Sequence, residues 1–243
     1  KLFTDESGNE TETVQISNAP FSATLEMRKG MEASQIVGYD FVYDDNGNKV
    51  VDADGFYMRS ETVKPLGSVL PDYTGGVSTY VTFKGIRFSG LIDFQKGGKV
   101  FSLTNVWGKY SGIFAETAEG DIRENGLINE GVTETGEQNT TVISAVDHYF
   151  QDGGYVITAA DVYDASFVKL RELTLSYELP QSLFKKAIRG ISVGVYGRNL
   201  AILHKNVPNI DPEAGLSSGN VQGFEGGQLP TARIFGINLN FRF

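Results

Sequence analysis

Five segments of the chain alternate apolar and polar side chains with a period of two, and this constrains the fold more than any other feature. The clearest case is the segment 232–243, in which one side carries only large apolar residues from Phe235 onward and the other side is mostly polar. The apolar side consists of Phe235, Ile237, Leu239, Phe241 and Phe243. A period of two is that of a β-strand with one apolar and one polar face. We therefore predict an all-β fold.

The same alternation predicts strands at about 76–84, 86–95, 167–179 and 191–199, in addition to 232–243. Only Lys84 and Gly85 separate the first two segments, which indicates a hairpin with a two-residue turn. In the third segment the parity of the apolar positions changes after Leu170, so we expect a β-bulge near Arg171.

The links between these strands are alternately short and long. Lys84-Gly85 and the stretch 180–190 are short, whereas 96–166 and 201–230 are long. Long structureless loops are uncommon in compact domains, but outer-membrane barrels combine short periplasmic turns with long external loops. We therefore predict an extracellular loop or leader region at 1–75 and a barrel segment at 76–243. In this orientation the chain enters from outside the cell and its last strand runs towards the periplasm.

Composition narrows the function. The chain has 30 acidic and 21 basic residues, a formal charge of -9, which argues against a nucleic-acid partner. It has no cysteine, which excludes disulfides and thiolate metal sites, and only two histidines. The sequence lacks the roughly 18 or more consecutive apolar residues of a membrane helix, but a barrel strand needs only about 9–11 residues with alternation. No catalytic motif is present, so we do not expect an enzyme.

The stretch DDNGNKVVDADG at 44–55 resembles a calcium loop but lacks its required residues. An EF-hand counted from Asp44 needs Gly and Glu where this chain has Lys49 and Gly55. Asn-Gly and Asp-Gly pairs predict turns instead. An irregular loop calcium site stays open as the alternative, and no other cofactor is predicted.

Aromatic residues in the long loop 96–166 are candidate contacts for a substrate or a lid protein. Aromatic rings stack on sugars and pack against partner proteins, but they also order the core of a loop. Both interpretations stay open at this stage. The candidates are Trp107, Tyr110, Tyr149 and Tyr155.

Several stretches of the chain, in this order, resemble the C-terminal part of the SusC/RagA family of TonB-linked outer-membrane transporters of Bacteroidota. The stretches are LPDYTGGVSTYVTFKGIRFSGLIDFQKGGKVFSLTN (70–105), DASFVKLRELTLSYELP (164–180), VGVYGRNLAIL (193–203), NIDPE (209–213) and LPTARIFGINLNFRF (229–243). Each stretch alone is a weak signal of the family. Together the stretches match the family in order and spacing, and the resemblance covers most of the chain.

The resemblance implies that the chain supplies the last five antiparallel strands of a 22-stranded transmembrane barrel. Such a transporter imports oligosaccharides or peptides captured by a SusD-like surface lipoprotein, and the TonB complex acts on a plug within the barrel. The implied location is the cell outer membrane. In this family an apolar, aromatic final strand serves as the barrel-insertion signal, which corresponds to Ile237, Leu239, Phe241 and Phe243.

The plug and the other strands of such a barrel are absent from this sequence. Unpaired strand edges are not tolerated against lipid, so we expect strands of an N-terminal portion of the same barrel to pair with both outer strands. The alternative from the residues alone is a soluble β-sandwich that binds carbohydrate. A passive porin is a weaker alternative, which the SusC-like stretches disfavour.

Overall fold

The computed structural model describes residues 2–4, 8–21, 23–184, 189–217, 219 and 222–243, and its largest element is a five-stranded antiparallel sheet. The strands are β1 (Pro71–Phe83), β2 (Ile86–Gly97), β3 (Phe167–Glu178), β4 (Gly190–Lys205) and β5 (Ile234–Arg242). Each strand pairs with the next one along the chain. The prediction of an all-β fold with five antiparallel strands is confirmed.

The turn between β1 and β2 follows from its two residues. Lys84 has a φ of 46° and Gly85 a φ of 83°, so both central positions are left-handed. A two-residue turn of this kind matches the twist of the flanking strands, and glycine adopts it without strain. The strands on either side are in register, with Phe83 opposite Ile86.

Some strand bounds differ from the sequence expectation. β1 begins at Pro71 rather than at 76, because its backbone pairing continues through Tyr73 even though this stretch lacks the alternation. β4 continues to Lys205 rather than ending at 199. Asn199 has a φ of 52° and the β3–β4 ladder shifts register there, which interrupts the period-two pattern. The ladders of β3 also shift between Leu170 and Glu172, where the sequence predicts a bulge.

The remaining residues form a loop assembly of short strands and helices. A four-stranded sheet contains Thr13–Asn18, Thr24–Arg28, Gln35–Gly38 and Lys64–Ser68. A three-stranded sheet has Lys99–Ser102 between Val162–Asp164 and Phe224–Glu225. Two-residue strands pair as Phe3–Thr4 with Glu10–Thr11, Val50–Val51 with Val132–Thr133, and Leu127–Ile128 with Val142–Ile143.

The helices of the loop assembly are short. The longest is α1 (Leu103–Tyr110), followed by α2 (Ile122–Asn125) and α3 (Ala145–Asp147), with a π-helical turn at His148–Asp152. Single 3₁₀ turns lie at Ala115–Thr117, Glu119–Asp121, Thr158–Asp161 and Gln181–Leu183. None of the helices in the described residues is both long and apolar enough to cross a membrane.

The two clusters of buried apolar side chains lie in the loop assembly, and among the described residues only Phe167, at the start of β3, is a buried apolar side chain on the five-stranded sheet. The main cluster joins the four-stranded sheet, the strand Lys99–Ser102 and α1 through Leu25, Ile36, Phe101, Leu103 and Phe224. Burial of these side chains supplies the main driving force for the loops to fold. The region 1–75, expected to be loop or leader, therefore contributes strands to an ordered assembly.

Candidate functional site

The five-stranded sheet has one exposed apolar face. Cross-strand neighbours form continuous apolar rows: Val81–Phe88–Leu175–Val195–Ile237, and next to it Phe83–Ile86–Tyr177–Val193–Leu239. Val81 is 66% exposed and Ile237 is 74% exposed. A β-sandwich would cover such a face with a second sheet, but in the described residues it stays open. Exposed apolar surface of this extent indicates contact with a membrane or another protein.

The opposite face of the sheet is polar. The corresponding rows are Thr82–Arg87–Ser176–Gly194–Asn238 and Tyr80–Ser89–Thr174–Tyr196–Gly236. Arg198 Nε donates to Glu172 Oε2 at 2.7 Å across β3 and β4. Two carboxamide or carboxylate oxygens on this face, Asp93 Oδ1 and Asn238 Oδ1, are buried without a hydrogen-bond partner among the described residues. The sheet thus has one face suited to an apolar solvent and one suited to water or polar protein.

A group of ion pairs, here called the latch, fastens the loop 206–233 to the polar face at the β3 bulge. Lys169 Nζ lies 2.5 Å from Asp211 Oδ1 and 2.5 Å from Glu213 Oε2. Arg171 Nη2 lies 2.6 Å from Asp93 Oδ2 and 2.8 Å from Glu213 Oε1. The extra residue of the bulge lets Lys169 and Arg171 both reach Glu213, which, like Asp211, belongs to the NIDPE stretch.

The latch is tightly buried at its centre. The side chain of Lys169 is only 3% exposed, and Asp211 also accepts a hydrogen bond from the Thr231 backbone N–H at 3.0 Å. Burial alone would raise the pKa of Asp211, but the hydrogen bonds from Lys169 and Thr231 outweigh it and lower the pKa to about 2. The pKa of Glu213 is lowered as well, because hydrogen bonds from Arg171 and Lys169 outweigh its burial.

Three of the four predicted aromatic candidates meet in one aromatic cluster, formed by Phe21, Trp107, Tyr110, Phe150 and Tyr155. Tyr155 is central: its ring centroid lies 4.4 Å from Phe21, 4.9 Å from Phe150 and 6.0 Å from Tyr110. Trp107 contacts Phe21 edge to face at 6.5 Å. Trp107 is 44% exposed and Tyr110 is 49% exposed, so the cluster offers open ring surface.

The fourth candidate, Tyr149, has no ring contact with the aromatic cluster in the described residues. Its ring packs against His148, and its hydroxyl donates to the Glu116 carbonyl at 3.1 Å. Tyr149 and Tyr110 instead line a side cleft of about 300 Å³, together with Arg123, Ser144 and Val146. The side cleft therefore adjoins the aromatic cluster at Tyr110.

Helix α1, which carries Trp107 and Tyr110, is fixed by its first turn. Ser102 caps the helix by accepting from the Asn105 N–H at 3.1 Å, and its hydroxyl donates to Glu225 Oε2 at 2.6 Å. A serine at this position satisfies a free N–H of the first turn, which stabilises the helix start. The hydrogen bond to Glu225 ties this cap to the neighbouring strand.

Asp161 connects two segments that carry the aromatic cluster: helix α1, which contains Tyr110, and the segment that contains Tyr155. Its fully buried carboxylate lies 2.6 Å from Lys109 Nζ on α1, and it accepts from the Gly154 N–H at 2.9 Å, next to Tyr155. It also accepts from the Tyr163 hydroxyl at 2.7 Å, and burial together with this carboxylate raises the pKa of Tyr163. Asp161 thus holds Tyr110 and Tyr155 in their relative positions.

We predict that Asp161→Asn loosens the aromatic cluster, because Lys109 loses its charged partner. A hydrogen bond to a charged group contributes about 1.5–3 kcal/mol, so the local stability of 103–110 and 154–161 should fall by about that amount. Hydrogen exchange of these segments measures the change. The exposed turn residue Asp54 provides the matched control Asp54→Asn, and equal exchange in both variants would contradict the role given to Asp161.

The acidic stretch 44–55 folds into two turns held by their own aspartates. Asp44 Oδ1 accepts from the N–H groups of Asn46 and Asn48, and Asp52 Oδ1 accepts from those of Asp54 and Phe56. These bonds are the turn chemistry expected from the sequence. Among the described residues there is no group of three or more His, Asp or Glu side chains placed to hold a metal ion.

Sequence reasoning missed parts of these sites. Phe21 is remote from the other rings in sequence, and no local pattern marked it. Lys169, Asp211 and Glu213 lie in the family-like stretches, but their ion pairs were not predicted. Lys169 and Asp211 are far apart in sequence, so no local pattern indicates that they pair. The NIDPE stretch was the one available signal for the latch.

Comparisons with known proteins give relatives of one kind. The chain matches no protein-family model. It is 26% identical over 208 residues, 82% of its length, to a protein named TonB-dependent receptor P3 from Formosa agariphila. It is 26% identical over 225 residues, 88% of its length, to TonB-dependent receptor P26 of the same organism. The chain spans about a fifth of these relatives, 19% and 20% respectively.

Solved structures agree on the fold. The RagAB peptide importer in its open-open state matches 96% of the chain with a TM-score of 0.62 and 20% identity. Its closed-closed state matches 94% of the chain with a TM-score of 0.59 and 21% identity. In both cases the match spans 24% of the longer chain.

Fold and sequence together define the class: the chain resembles part of a TonB-dependent outer-membrane transporter. More narrowly, it is SusC/RagA-like, and the resemblance predicted from its sequence stretches is confirmed. The relatives are named as receptors and importers and not as enzymes.

Proposed function

We propose that this chain forms five adjacent strands in the barrel wall of a TonB-dependent importer in the outer membrane. The observation that carries the proposal is the sheet with one exposed apolar face and one polar, charged face. In a barrel wall the apolar face contacts lipid and the polar face lines the lumen. The latch would then hold the loop 206–233 against the lumen side.

The outer edges of the sheet support the same proposal. In the described residues, β1 pairs only with β2, and β5 pairs only with β4. Unpaired backbone groups cost several kcal/mol in lipid, so each edge requires a further strand. We propose that these strands belong to an N-terminal portion of the same barrel, which also carries the plug on which the TonB complex acts.

For the cargo we propose oligosaccharides or peptides delivered with a SusD-like surface lipoprotein. The similarity to a peptide importer supports peptides, and the exposed rings of the aromatic cluster suit either ligand. Trp107, Tyr110, Tyr149 and Tyr155 are the proposed contacts with cargo or lipoprotein. Co-purification of the intact assembly in detergent, followed by mass determination of bound proteins and ligands, tests these partners.

The localisation is tested by fractionation. The chain, expressed within its native assembly, should sediment with outer membranes and resist extraction by salt, but dissolve in detergent. Recovery in a salt-washed soluble fraction would contradict the barrel-wall proposal and favour the β-sandwich alternative.

We also propose that Ile237, Leu239, Phe241 and Phe243 act as the barrel-insertion signal. Phe243→Ser is expected to lower the amount of inserted protein while leaving the heat resistance of the inserted fraction nearly unchanged, because a recognition step is affected more than the finished fold. Gel mobility before and after heating measures both quantities. The matched control is Asn240→Ser on the polar face, and equal yields of the two variants would contradict the signal role.

A further inference from the structure

The NIDPE stretch at 209–213 makes two sets of contacts, and only one of them belongs to the latch. Its acidic residues bind Lys169 and Arg171 on β3. Its first residue, Asn209, instead contacts helix α1, because Asn209 Nδ2 donates to Asn105 Oδ1 at 2.9 Å. The stretch therefore joins the five-stranded sheet to the helix that carries part of the aromatic cluster.

The contact between α1 and this part of the chain is buried. Asn105 is fully buried, and its Nδ2 donates to Ser102 Oγ at 2.9 Å and to the Pro208 carbonyl at 3.3 Å. Its side chain is thus shared between the first turn of α1 and the chain at 208–209. A buried amide that loses a hydrogen-bond partner is left with an unpaired polar group, which is unfavourable. We therefore expect α1 and the NIDPE stretch to keep their relative positions.

The NIDPE stretch and the residues just before it are firmly packed. Val207 and Ile210 are buried beside Val100 and Ala165 in the second apolar cluster. Between them Asn209 has a φ of 60°, a left-handed conformation that asparagine adopts more readily than most residues. A packed segment therefore lies between α1 and the latch, and a change at one end can reach the other.

We propose that the NIDPE stretch couples the aromatic cluster to the latch, so that ordering of either one stabilises the other. Coupling can pass through contiguous packed and hydrogen-bonded groups, and each of two coupled sites affects the other by the same factor. Here the groups run from α1 through Asn105 and Asn209 to the latch. In the proposed importer, cargo that orders the rings would tighten the latch on the polar face of the sheet; this consequence rests on the proposed function.

The test measures hydrogen exchange of the intact, unliganded transporter in detergent, so neither cargo nor membrane location enters the result. Lys169→Met opens the latch, and Asn209→Gly removes the bond to Asn105, while glycine keeps the left-handed turn. Each should raise the exchange rate of 103–110 about 2- to 30-fold, the range for residues that carry coupling between sites. The double variant should exchange no faster there than the faster single variant, because both changes interrupt one connection. Factors that multiply would mean independent effects and would overturn the proposal.

Helix α1 keeps a second attachment in all of these variants. The hydroxyl groups of Ser102 and Thr104 donate to Glu225 at 2.6 Å and 2.5 Å. Asn209→Gly should therefore loosen α1 without unfolding it, and the exchange of 103–110 stays measurable.

A second measurement reads the coupling in the opposite direction. Tyr110→Ala removes ring contacts of α1 with Phe150 and Tyr155, and it should raise the exchange of 206–217 in the parent but not in Asn209→Gly. The control Arg198→Met removes an ion pair with Glu172 on the same polar face, outside the NIDPE stretch, and should leave 103–110 unchanged.

Three results would each contradict the coupling. They are unchanged exchange of 103–110 in Lys169→Met, an equal increase there in Arg198→Met, and an effect of Tyr110→Ala on 206–217 that persists in Asn209→Gly. Failure of the barrel-wall proposal would appear separately, in the fractionation experiment.

Discussion

Leu175→Lys is expected to reduce the folded, membrane-inserted protein severely, whereas Ser176→Lys is expected to be tolerated. The two residues are adjacent on β3, and Leu175 lies at the centre of an apolar row while Ser176 lies in a polar row. A lysine facing the middle of a bilayer costs about 2–4 kcal/mol, and one facing the lumen costs little. The expected difference therefore comes from the face alone.

The denaturant concentration at which the inserted protein is half unfolded measures its stability. The loss of heat-resistant gel mobility gives a second measurement of the folded fraction. Val193→Lys in an apolar row and Ser192→Lys on the polar face provide an independent pair of adjacent positions on β4, with the same expected ordering. Equal losses on both faces would contradict the assignment of the apolar face to lipid, since a one-residue difference in strand position exchanges the two faces.

Lys169→Met is expected to have the second large effect, because it leaves the Asp211 carboxylate buried without its cation. Removing one partner of a buried ion pair typically lowers the stability of the folded state by about 3–5 kcal/mol. The loss should be local, since the latch connects β3 to the loop 206–233. Hydrogen exchange or limited proteolysis of residues 206–217 should therefore increase far more than exchange in β1 and β2.

The double variant Lys169→Met with Asp211→Leu separates charge from packing. Removing both charges should restore much of the protection, because an apolar pair of similar volume often replaces a buried ion pair without loss. A double variant as unprotected as Lys169→Met alone would contradict the ion-pair explanation.

Acid should release the same loop. Asp211 has a folded pKa of about 2, below the value of about 3.9 for an unfolded aspartate. A lowered pKa stabilises the folded state above the unfolded pKa, and this contribution is lost as the pH falls from about 4 towards 2. Protection of 206–217 should hold at pH 5 and decline below about 4. Asp211→Leu combined with Lys169→Met should show a weaker decline.

The five strands were predictable because each carries its own pattern. In a strand with one apolar and one polar face the two kinds of side chain must alternate. β2 and β5 can therefore be predicted from their own residues, without knowledge of the neighbouring strands. The loop assembly was not predictable in this way, because strands of two to six residues such as Thr13–Asn18 and Val50–Val51 are too short for a period to show. Their stability comes from contacts that join distant segments.

The candidate sites also differ in how much of each could be predicted from local sequence. Residue type and position in a long loop selected Trp107, Tyr110, Tyr149 and Tyr155 as candidates, but only the contacts in the structure place three of them in one cluster. The latch depends on a bulge that brings Lys169 and Arg171 to Asp211 and Glu213, and such long-range pairing leaves no local signal. The bulge itself was predicted near Arg171, but its consequence was not.

The most direct test of the barrel wall is a cysteine scan of residues 172–178, for which the chain offers a cysteine-free background. Each single-cysteine protein is labelled in outer membranes with a fluorophore and exposed to a lipid-soluble and a water-soluble quencher. We expect quenching from lipid at Leu173, Leu175 and Tyr177, and quenching from water, or burial against protein, at Glu172, Thr174 and Ser176. A quenching profile without a period of two, or water access at both sets of positions, would contradict this expectation.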